Sequence, residues 1–382
     1  MKLIRVFSLA AAALACLPQA AIAKKGEYIA YVGTYTRGES KGIYAYRFDA
    51  NTGKFTPIGL AAETSNPSFL AIHPNHRFLY AVNEVNTFEG QPGGSVSAFA
   101  IDTASGKLKA LNAVSSGGPG PCHVSLDKSG KWLFVANYGG GSVSAYPVQA
   151  DGSLGKASAF VQHAGSSVNP QRQRRPYAHS ANPSPDGRFV LVADLGMDQV
   201  LTYPIDASKG MATTPSTVAK IEPGSGPRHM VFAPKGKFAY LVSEMGATVT
   251  AFSYDPANGS LKQVQTISML PKDFTGPKGA AEIAIDPSCK FLYATNRGHD
   301  SLAVFQIDGK KGTLTSVETV PTQGKNPRHF AIDPSGKFLL AENQDTANVV
   351  EFRIDGKTGK LTPTGDKLDI GFPVCLVFEP VK

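Results

Sequence analysis

A turn that ends in glycine recurs seven times along this chain, and it constrains the fold more than any other feature. Acidic or polar residues precede the glycine in each copy, and the seven glycines are Gly53, Gly106, Gly152, Gly210, Gly259, Gly312 and Gly359. Glycine suits such a turn because it adopts a positive φ at little cost. Consecutive copies lie 46 to 58 residues apart, the period of a four-stranded propeller blade rather than of a helical solenoid unit.

A second signature, a tight polar turn followed by an aromatic residue, recurs six times. The six aromatic residues are Phe78, Trp132, Phe189, Phe238, Phe291 and Phe338. The seventh copy is divided between the chain ends, because residues 373–378 resemble the strand before this turn and residues 28–32 the strand after it. One blade built from both ends would remove the open sheet edges.

The segments between these turns are short and rich in β-branched and aromatic residues, which is typical of strands. No long segment has a convincing helical periodicity. We therefore predict an all-β fold, a seven-bladed β-propeller over residues 24–382, in which the N- and C-terminal strands close the ring in one shared blade.

The first 23 residues differ from the rest and read as a signal peptide. Lys2 and Arg5 form a basic start, residues 6–17 are apolar, and a small-residue cleavage motif ends at Ala23. A membrane anchor would need about 20 apolar residues, more than this stretch has, and a lipoprotein site at Cys16 is the weaker alternative. We expect export to a periplasm or out of the cell, with no membrane attachment after cleavage.

Charge and cysteine content exclude some functions. Cleavage would leave 36 Lys and Arg against 30 Asp and Glu, a mild excess that favours anionic ligands weakly. A nucleic-acid surface would need a basic stripe with interleaved aromatic residues, and the one dense basic cluster, 172–175, reads as a solvated loop or an anion-attracting rim. The three remaining cysteines, an odd number without metal-ligand spacing, cannot form a complete disulfide framework.

Polar residues end the same predicted strand in six repeats. Five residues beyond the aromatic position stand Asn83, Asn137, Asp194, Ser243, Asn296 and Asn343, and one residue further stand Glu84, Tyr138, Leu195, Glu244, Arg297 and Gln344. Asn and Asp commonly end strands by bonding nearby backbone, which is the interpretation we adopt for most of the first set. Glu244 and Arg297 need partners or solvent, because charged side chains that face other blades are costly to bury.

Four histidines, His123, His179, His229 and His329, precede the polar turn at positions that the sequence suggests are equivalent. Because catalysis rarely needs four equivalent copies, we interpret most of them as structural. His179, in an Ala-His-Ser context beside the basic cluster, departs most from the others. A histidine, a glutamate and arginines meeting at the central channel would suit anion binding and water activation, whereas serine-hydrolase, phosphate-loop and zinc-protease motifs are absent from the sequence.

A family resemblance rests on motifs that span the chain in order, at 31–36, 66–71, 118–124, 178–180, 193–196, 226–229, 243–244, 296–297 and 326–329. They resemble the seven-bladed propeller lactonases, which include bacterial 6-phosphogluconolactonases of propeller type and fungal carboxy-cis,cis-muconate cyclases. The resemblance implies a catalytic set of His179, Arg228, Glu244 and Arg297. For substrate binding we expect Arg228 and Arg297 together with His123, His229, Asn296 and Arg328.

We therefore expect a lactone hydrolase resembling 6-phosphogluconolactonase that opens an anionic sugar lactone with activated water and uses neither metal nor cofactor. Its partner would be the small lactone alone, with no nucleic acid, and a monomer is expected. Export is unlike the family's cytoplasmic 6-phosphogluconolactonases, which argues against a phosphorylated sugar as the physiological substrate and leaves another anionic lactone. Two alternatives stay open, a non-catalytic exported binding or scaffold propeller and a carboxy-muconate-type cycloisomerase.

Overall fold

The computed structural model describes residues 26–381, and the expected signal peptide, 1–23, lies outside the described residues. Every regular element within that range is a β-strand. The strands form seven four-stranded antiparallel sheets and one two-stranded hairpin, so the predicted seven-bladed propeller is confirmed. Between residues 26 and 381 there is no helix with the length and apolar character needed to cross a membrane.

The blades follow one another along the chain, and the chain runs from the innermost to the outermost strand in blades 2 to 7. Blade 1 contains β1 (Glu27–Thr34), β2 (Gly42–Asp49) and β3 (Lys54–Glu63); blade 2 contains β4 (Phe69–Ile72), β5 (Phe78–Asn83), β8 (Ser95–Ile101) and β9 (Leu108–Ser115), with the hairpin β6 (Thr87–Phe88) and β7 (Gln91–Pro92) between β5 and β8; blade 3 contains β10 (Pro121–Leu126), β11 (Trp132–Asn137), β12 (Ser142–Pro147) and β13 (Ala159–Gln162).

The same order continues through the second half of the chain. Blade 4 contains β14 (Ala178–Pro183), β15 (Phe189–Asp194), β16 (Gln199–Pro204) and β17 (Thr217–Lys220); blade 5 contains β18 (Pro227–Phe232), β19 (Phe238–Ser243), β20 (Thr248–Asp255) and β21 (Ser260–Ser268); blade 6 contains β22 (Ala280–Ile285), β23 (Phe291–Asn296), β24 (Ser301–Ile307) and β25 (Leu314–Pro321); blade 7 contains β26 (Pro327–Ile332), β27 (Phe338–Asn343), β28 (Asn348–Ile354) and β29 (Leu361–Asp369).

The ring closes through the shared blade that the sequence predicts. The last strand, β30 (Pro373–Pro380), pairs antiparallel with β1 and becomes the innermost strand of blade 1. It also contacts β4 of blade 2 and β26 of blade 7. Both chain ends are therefore hydrogen-bonded into one sheet, and the innermost strands surround a central channel.

The core lies between the blades. Buried apolar side chains form seven clusters, one in each interface between neighbouring blades. This placement follows from the sheets themselves, because alternate residues of each strand point to opposite faces and both faces are covered by a neighbour. The channel wall is left for side chains at the starts of the innermost strands.

The two sequence signatures contact each other across these interfaces. Gly152, in the outer turn of blade 3, has a φ of +86°, and a Cβ atom there would lie 2.3 Å from the Phe78 ring of blade 2. The glycine and the aromatic residue are paired in the same way, with the glycine on the following blade, in Gly53 and Phe338, Gly210 and Trp132, Gly259 and Phe189, Gly312 and Phe238, and Gly359 and Phe291. The turn thus needs glycine both for its backbone conformation and for close packing.

Gly187 and Gly152 provide a test of the blade contact. Both adopt a positive φ, but only Gly152 also packs closely against another blade. Gly187 has a φ of +71° but no atom within 4 Å of its Cβ position, whereas Gly152 is crowded by Phe78. Gly187→Ala should lower the free energy of unfolding by about 1–2 kcal/mol through backbone strain alone. Gly152→Ala should cost about 1–3 kcal/mol more because the aromatic contact is overpacked. Equal losses for the two variants in denaturant titrations would contradict the packing argument.

Candidate active site

A β-bulge at the start of the innermost strand aims side chains into the channel. In blade 3, Pro121 faces Asn137 and His123 faces Ala136, so Cys122 is an extra residue. Innermost strands of six blades have such a bulge, and the extra residues of blades 4, 5 and 7 are His179, Arg228 and Arg328. A bulge disturbs the ladder locally and re-aims a side chain, and these four residues line one pocket.

A second set of side chains reaches the same pocket from the neighbouring strand. The second strand of each blade runs antiparallel to the innermost strand, so the end of one lies beside the start of the other. The residues that directly follow the second strand in blades 2, 3, 5 and 6 are Glu84, Tyr138, Glu244 and Arg297. With Arg172, from the segment between β13 and β14, they complete the lining of a cavity of about 210 Å³.

Glu244 is the ionic centre of this pocket. Its Oε1 atom accepts a hydrogen bond from Arg172 Nη2 at 2.7 Å, and its Oε2 atom lies 2.7 Å from Arg228 Nη1 and 2.8 Å from Arg297 Nη2. Burial alone would raise the pKa of Glu244, but Arg297 and Arg228 hold the pKa of its carboxyl well below its usual range. Glu244 is therefore an ionised carboxylate shared by three guanidiniums.

The hydrogen bonds of His179 define its tautomer. Arg228 Nη1 lies 2.7 Å from His179 Nε2, and since a guanidinium only donates, Nε2 accepts and the ring proton is on Nδ1. Nδ1 faces Cys122 Sγ at 3.6 Å. Burial, with the neighbouring Arg228, lowers the pKa of His179 well below its usual value. The imidazole is neutral and carries its lone pair on the pocket side.

Cys122 contacts both the ring and the backbone carbonyl group of His179. Its thiol donates to the carbonyl oxygen of His179 at 3.3 Å while the sulfur faces Nδ1 of the same residue. Burial raises the pKa of the Cys122 thiol to about 12, so it stays protonated and acts as a donor. The structure contains it as a free thiol.

Arg328 and Glu84 line another part of the pocket. Arg328 Nη2 lies 3.6 Å from Glu84 Oε2, and the hydroxyl of Tyr35 donates to that oxygen at 2.8 Å. The Arg328 guanidinium also lies over the Tyr35 ring, 5.3 Å from its centroid. Four arginines and two glutamates line the pocket, and with His179 neutral this excess of positive charge suits an anionic ligand.

The comparisons with known proteins agree with this architecture. The family described as "Lactonase, 7-bladed beta-propeller" matches residues 29–378. This protein belongs to that family. The resemblance inferred from the sequence motifs is therefore confirmed, and so is the fold that it implied.

Relatives of this lactonase-family protein have been named for two substrates. The 6-phosphogluconolactonase of Bacillus subtilis is 39% identical over 302 residues, which cover 79% of this chain and 84% of that protein. The 6-phosphogluconolactonase of Formosa agariphila is 37% identical over 304 residues, covering 78% and 84%. The solved structure of a periplasmic gluconolactonase from Pseudomonas aeruginosa is 35% identical, with a TM-score of 0.87, and the match covers 93% of this chain and all of that one.

The structure brings five of the eight residues selected from the sequence to the pocket, and these are His179, Arg228, Glu244, Arg297 and Arg328. The other three, His123, His229 and Asn296, lie elsewhere. Asn296 is fully buried, and its Oδ1 atom accepts the backbone N–H groups of Gly298 and His299. Its side chain supports the turn that presents Arg297, in agreement with the strand-ending interpretation.

The equivalence of the four histidines is wrong. His123, His229 and His329 each follow the bulge residue, whereas His179 is the bulge residue of its own strand. His179 is structurally equivalent to Cys122 and to Arg228, one position earlier than the sequence suggests. This shift aims His179 into the pocket.

The other three histidines form a buried layer beneath the pocket. His229 Nδ1 is 2.9 Å from Glu282 Oε2, and His329 Nε2 is 3.6 Å from the same oxygen. His123 packs on the Phe69 ring with a centroid distance of 4.5 Å, and burial lowers the pKa of His123 to about 3. These contacts make the layer a support for the strands that carry the pocket residues.

Four lining residues were not selected from the sequence. Glu84 and Tyr138 occupy the same repeat position as Glu244 and Arg297, and Cys122 occupies that of Arg228, so an alignment of the blades could have found them. Arg172 has no counterpart in the repeats, and the dense basic cluster was its only signal. Among residues 26–381, no group of three or more His, Cys, Asp or Glu side chains is arranged to hold a metal ion.

Proposed function

We propose that this protein is a lactone hydrolase that opens the ring of a small anionic sugar lactone with water. The observation that carries the proposal is the single pocket in which a neutral His179 lies beside a carboxylate shared by three guanidiniums. The names of the relatives, 6-phosphogluconolactonase and gluconolactonase, support the same reaction. The product would be the corresponding hydroxy acid.

Arg228 and Arg297 would stabilise the oxyanion. Both guanidiniums bond the Oε2 atom of Glu244, and both are mostly buried. They therefore direct their donors to the same region of a site from which most water is excluded. Donors fixed where negative charge develops each contribute ~3 kcal/mol to such a transition state. On binding, the lactone carbonyl oxygen accepts the hydrogen bond that Arg228 Nη1 now donates to His179, while both arginines keep Glu244 as a partner.

His179 would be the general base. Once the lactone carbonyl has accepted the Arg228 hydrogen bond, the Nε2 lone pair of His179 is free to accept a proton from the attacking water. Glu244 Oε2 lies 3.8 Å from Nε2 and stabilises the imidazolium that forms. The imidazolium then returns this proton to the ring oxygen as the acyl C–O bond breaks, which gives the hydroxy acid. A carboxylate held ionised by arginines is a weak base, and for this reason we assign Glu244 an electrostatic role.

The two alternatives differ in how they relate to the pocket. A binding or scaffold propeller would not need His179, Arg228, Glu244 and Arg297 to line one cavity, as they do. A cycloisomerase would use the same four side chains on a different substrate. The substrate therefore separates hydrolysis from cyclisation, and assays on lactones test the proposal directly.

Replacement of Glu244 tests the site. In pH-stat assays the purified protein should hydrolyse 6-phosphogluconolactone or gluconolactone well above the spontaneous rate, and Glu244→Gln should lower kcat by about a hundredfold or more through lost electrostatic stabilisation. Glu89→Gln, an exposed change on the hairpin after β5, is the matched control. Binding of 6-phosphogluconate measured by calorimetry should persist in Glu244→Gln, which would show that the variant is folded. Unchanged turnover in Glu244→Gln would refute the proposed active site. A wild-type rate no faster than the spontaneous one would refute the proposed lactonase activity.

The pH profile tests the base. His179 must be neutral to accept a proton, and because its pKa is lowered well below 6.5, kcat/KM should stay constant as the pH falls from 7.5 through 6.5 and decline only at more acidic pH. The acid limb should be absent from the residual activity of His179→Asn. A limb with its midpoint at or above pH 6.5 in the wild-type protein would contradict this role.

We also propose that the protein acts after export, in a periplasm or outside the cell. The basic and apolar start of the sequence and the periplasmic relative from Pseudomonas aeruginosa support this location. N-terminal sequencing of the protein recovered from its native host should begin at Lys24. Substituting Ala23 by Phe should leave the uncleaved precursor, because the peptidase needs a small residue there. A wild-type protein that retains residues 1–23 would refute the assignment.

A further inference from the structure

Arg172 differs from the other arginines of the pocket in its exposure. Its side chain is 45% exposed, compared with 3% for Arg228, 19% for Arg297 and 17% for Arg328. It comes from the segment 163–177, which joins β13 of blade 3 to β14 of blade 4 and is the longest connection between neighbouring blades. Its guanidinium therefore forms the solvent-facing side of the pocket.

The buried arginines Arg228 and Arg297 donate hydrogen bonds to backbone carbonyl groups of the protein. Arg228 Nε donates to the carbonyl oxygen of Ala281 at 3.0 Å while Nη1 bonds His179 and Glu244. Arg297 donates through Nε to the carbonyl oxygen of Gly279 at 3.1 Å. Backbone acceptors of this kind fix the position of each guanidinium.

Arg172 has spare donors. Its Nη2 atom donates to Glu244 Oε1 at 2.7 Å and to the Tyr138 hydroxyl at 3.3 Å. Its Nε and Nη1 atoms make no hydrogen bond to any residue between 26 and 381 in the structure. A guanidinium in this state can exchange a monodentate contact with Glu244 for a bidentate contact with an oxyanion, which is the stronger geometry.

The backbone beneath Arg172 is held in place. Gln173 is fully buried, donates through Nε2 to the carbonyl oxygen of Leu195 at 2.8 Å, and accepts at Oε1 from the backbone N–H of Asn169 at 3.0 Å. Asn169 Oδ1 in turn accepts the backbone N–H of Arg172. The side chain of Arg172 can therefore change partners while the segment that carries it stays fixed.

We propose that Arg172 is the specificity-determining residue that binds the anionic substituent of the substrate at the solvent-facing side of the pocket. This inference rests on the proposed function, in which Arg228 and Arg297 face the carbonyl oxygen. Arg172 leaves Glu244 when the substituent arrives, and Glu244 keeps Arg228 and Arg297 as partners. Selectivity for an anionic over a neutral lactone then depends on one exposed side chain.

The neighbouring arginines supply a matched control. Arg175 Nη1 donates to the carbonyl oxygen of Gly139 at 2.7 Å, and its guanidinium lies over the Tyr177 ring. It does not line the pocket. Arg175→Gln therefore removes the same charge from the same segment without changing a residue that lines the pocket.

The kinetic test compares two lactones that differ only in a phosphate. For 6-phosphogluconolactone and gluconolactone, the readout is the ratio of their kcat/KM values in wild type, Arg172→Gln, Arg172→Lys and Arg175→Gln. We expect Arg172→Gln to reduce this ratio at least tenfold, mainly through the KM of the phosphorylated lactone. Arg172→Lys should retain part of the ratio because it keeps the charge but loses the fork, and Arg175→Gln should change it less than twofold. A ratio unaltered by Arg172→Gln would overturn the inference.

A binding test separates this inference from the proposed function. Calorimetric titration with 6-phosphogluconate and gluconate needs no turnover, and the wild-type protein should bind the phosphorylated acid more tightly. Arg172→Gln should abolish that difference. Equal affinities in the wild-type protein, or a difference that survives in Arg172→Gln, would refute the role of Arg172, whereas the expected binding pattern in a protein that hydrolyses neither lactone would refute only the hydrolase.

Discussion

A carboxylate removed from water is stable only when opposite charge or hydrogen bonds replace its hydration. Glu244 obtains that compensation from Arg172, Arg228 and Arg297, which come from an interblade segment, a strand bulge and a strand end. The same bonds prevent the guanidiniums from repelling one another. Glu244 therefore holds together a group of cations that would otherwise not remain in so small a pocket.

The propeller brings these charges together by using two positions of its repeat. Bulge residues of blades 3, 4, 5 and 7 meet residues that follow the second strands of blades 2, 3, 5 and 6 in one pocket. Neighbouring blades place different side chains at the same two positions, so the ring is regular in backbone and irregular in chemistry. The glycine and aromatic contacts between blades, such as Gly152 on Phe78, keep this geometry while the channel residues vary.

The number of blades and the ring closure could be predicted because their signals are local, since a turn glycine and the aromatic residue it packs on are needed at every repeat. Glu244 and Arg297 stood out as charged residues at a repeated strand end, and the family resemblance placed them with His179 and Arg228 in one catalytic set. The histidine register could not be predicted, because a bulge adds one residue without changing composition and so moves His179 from the supporting layer to the pocket. Arg172 could not be predicted as a pocket residue for a different reason, because the segment that carries it does not belong to the repeated part of a blade.

The charge balance of the pocket connects stability with ligand choice. Glu244 is the anion to which the arginines bond, so an anionic substrate has to compete with it for the same donors. Displacing Glu244 from Arg228 would leave a buried donor and a buried carboxylate to be satisfied again, whereas displacing it from the half-exposed Arg172 costs much less because water reaches that side chain. The anion is therefore exchanged most readily at the pocket rim, and the deeper arginines remain aligned for the carbonyl oxygen.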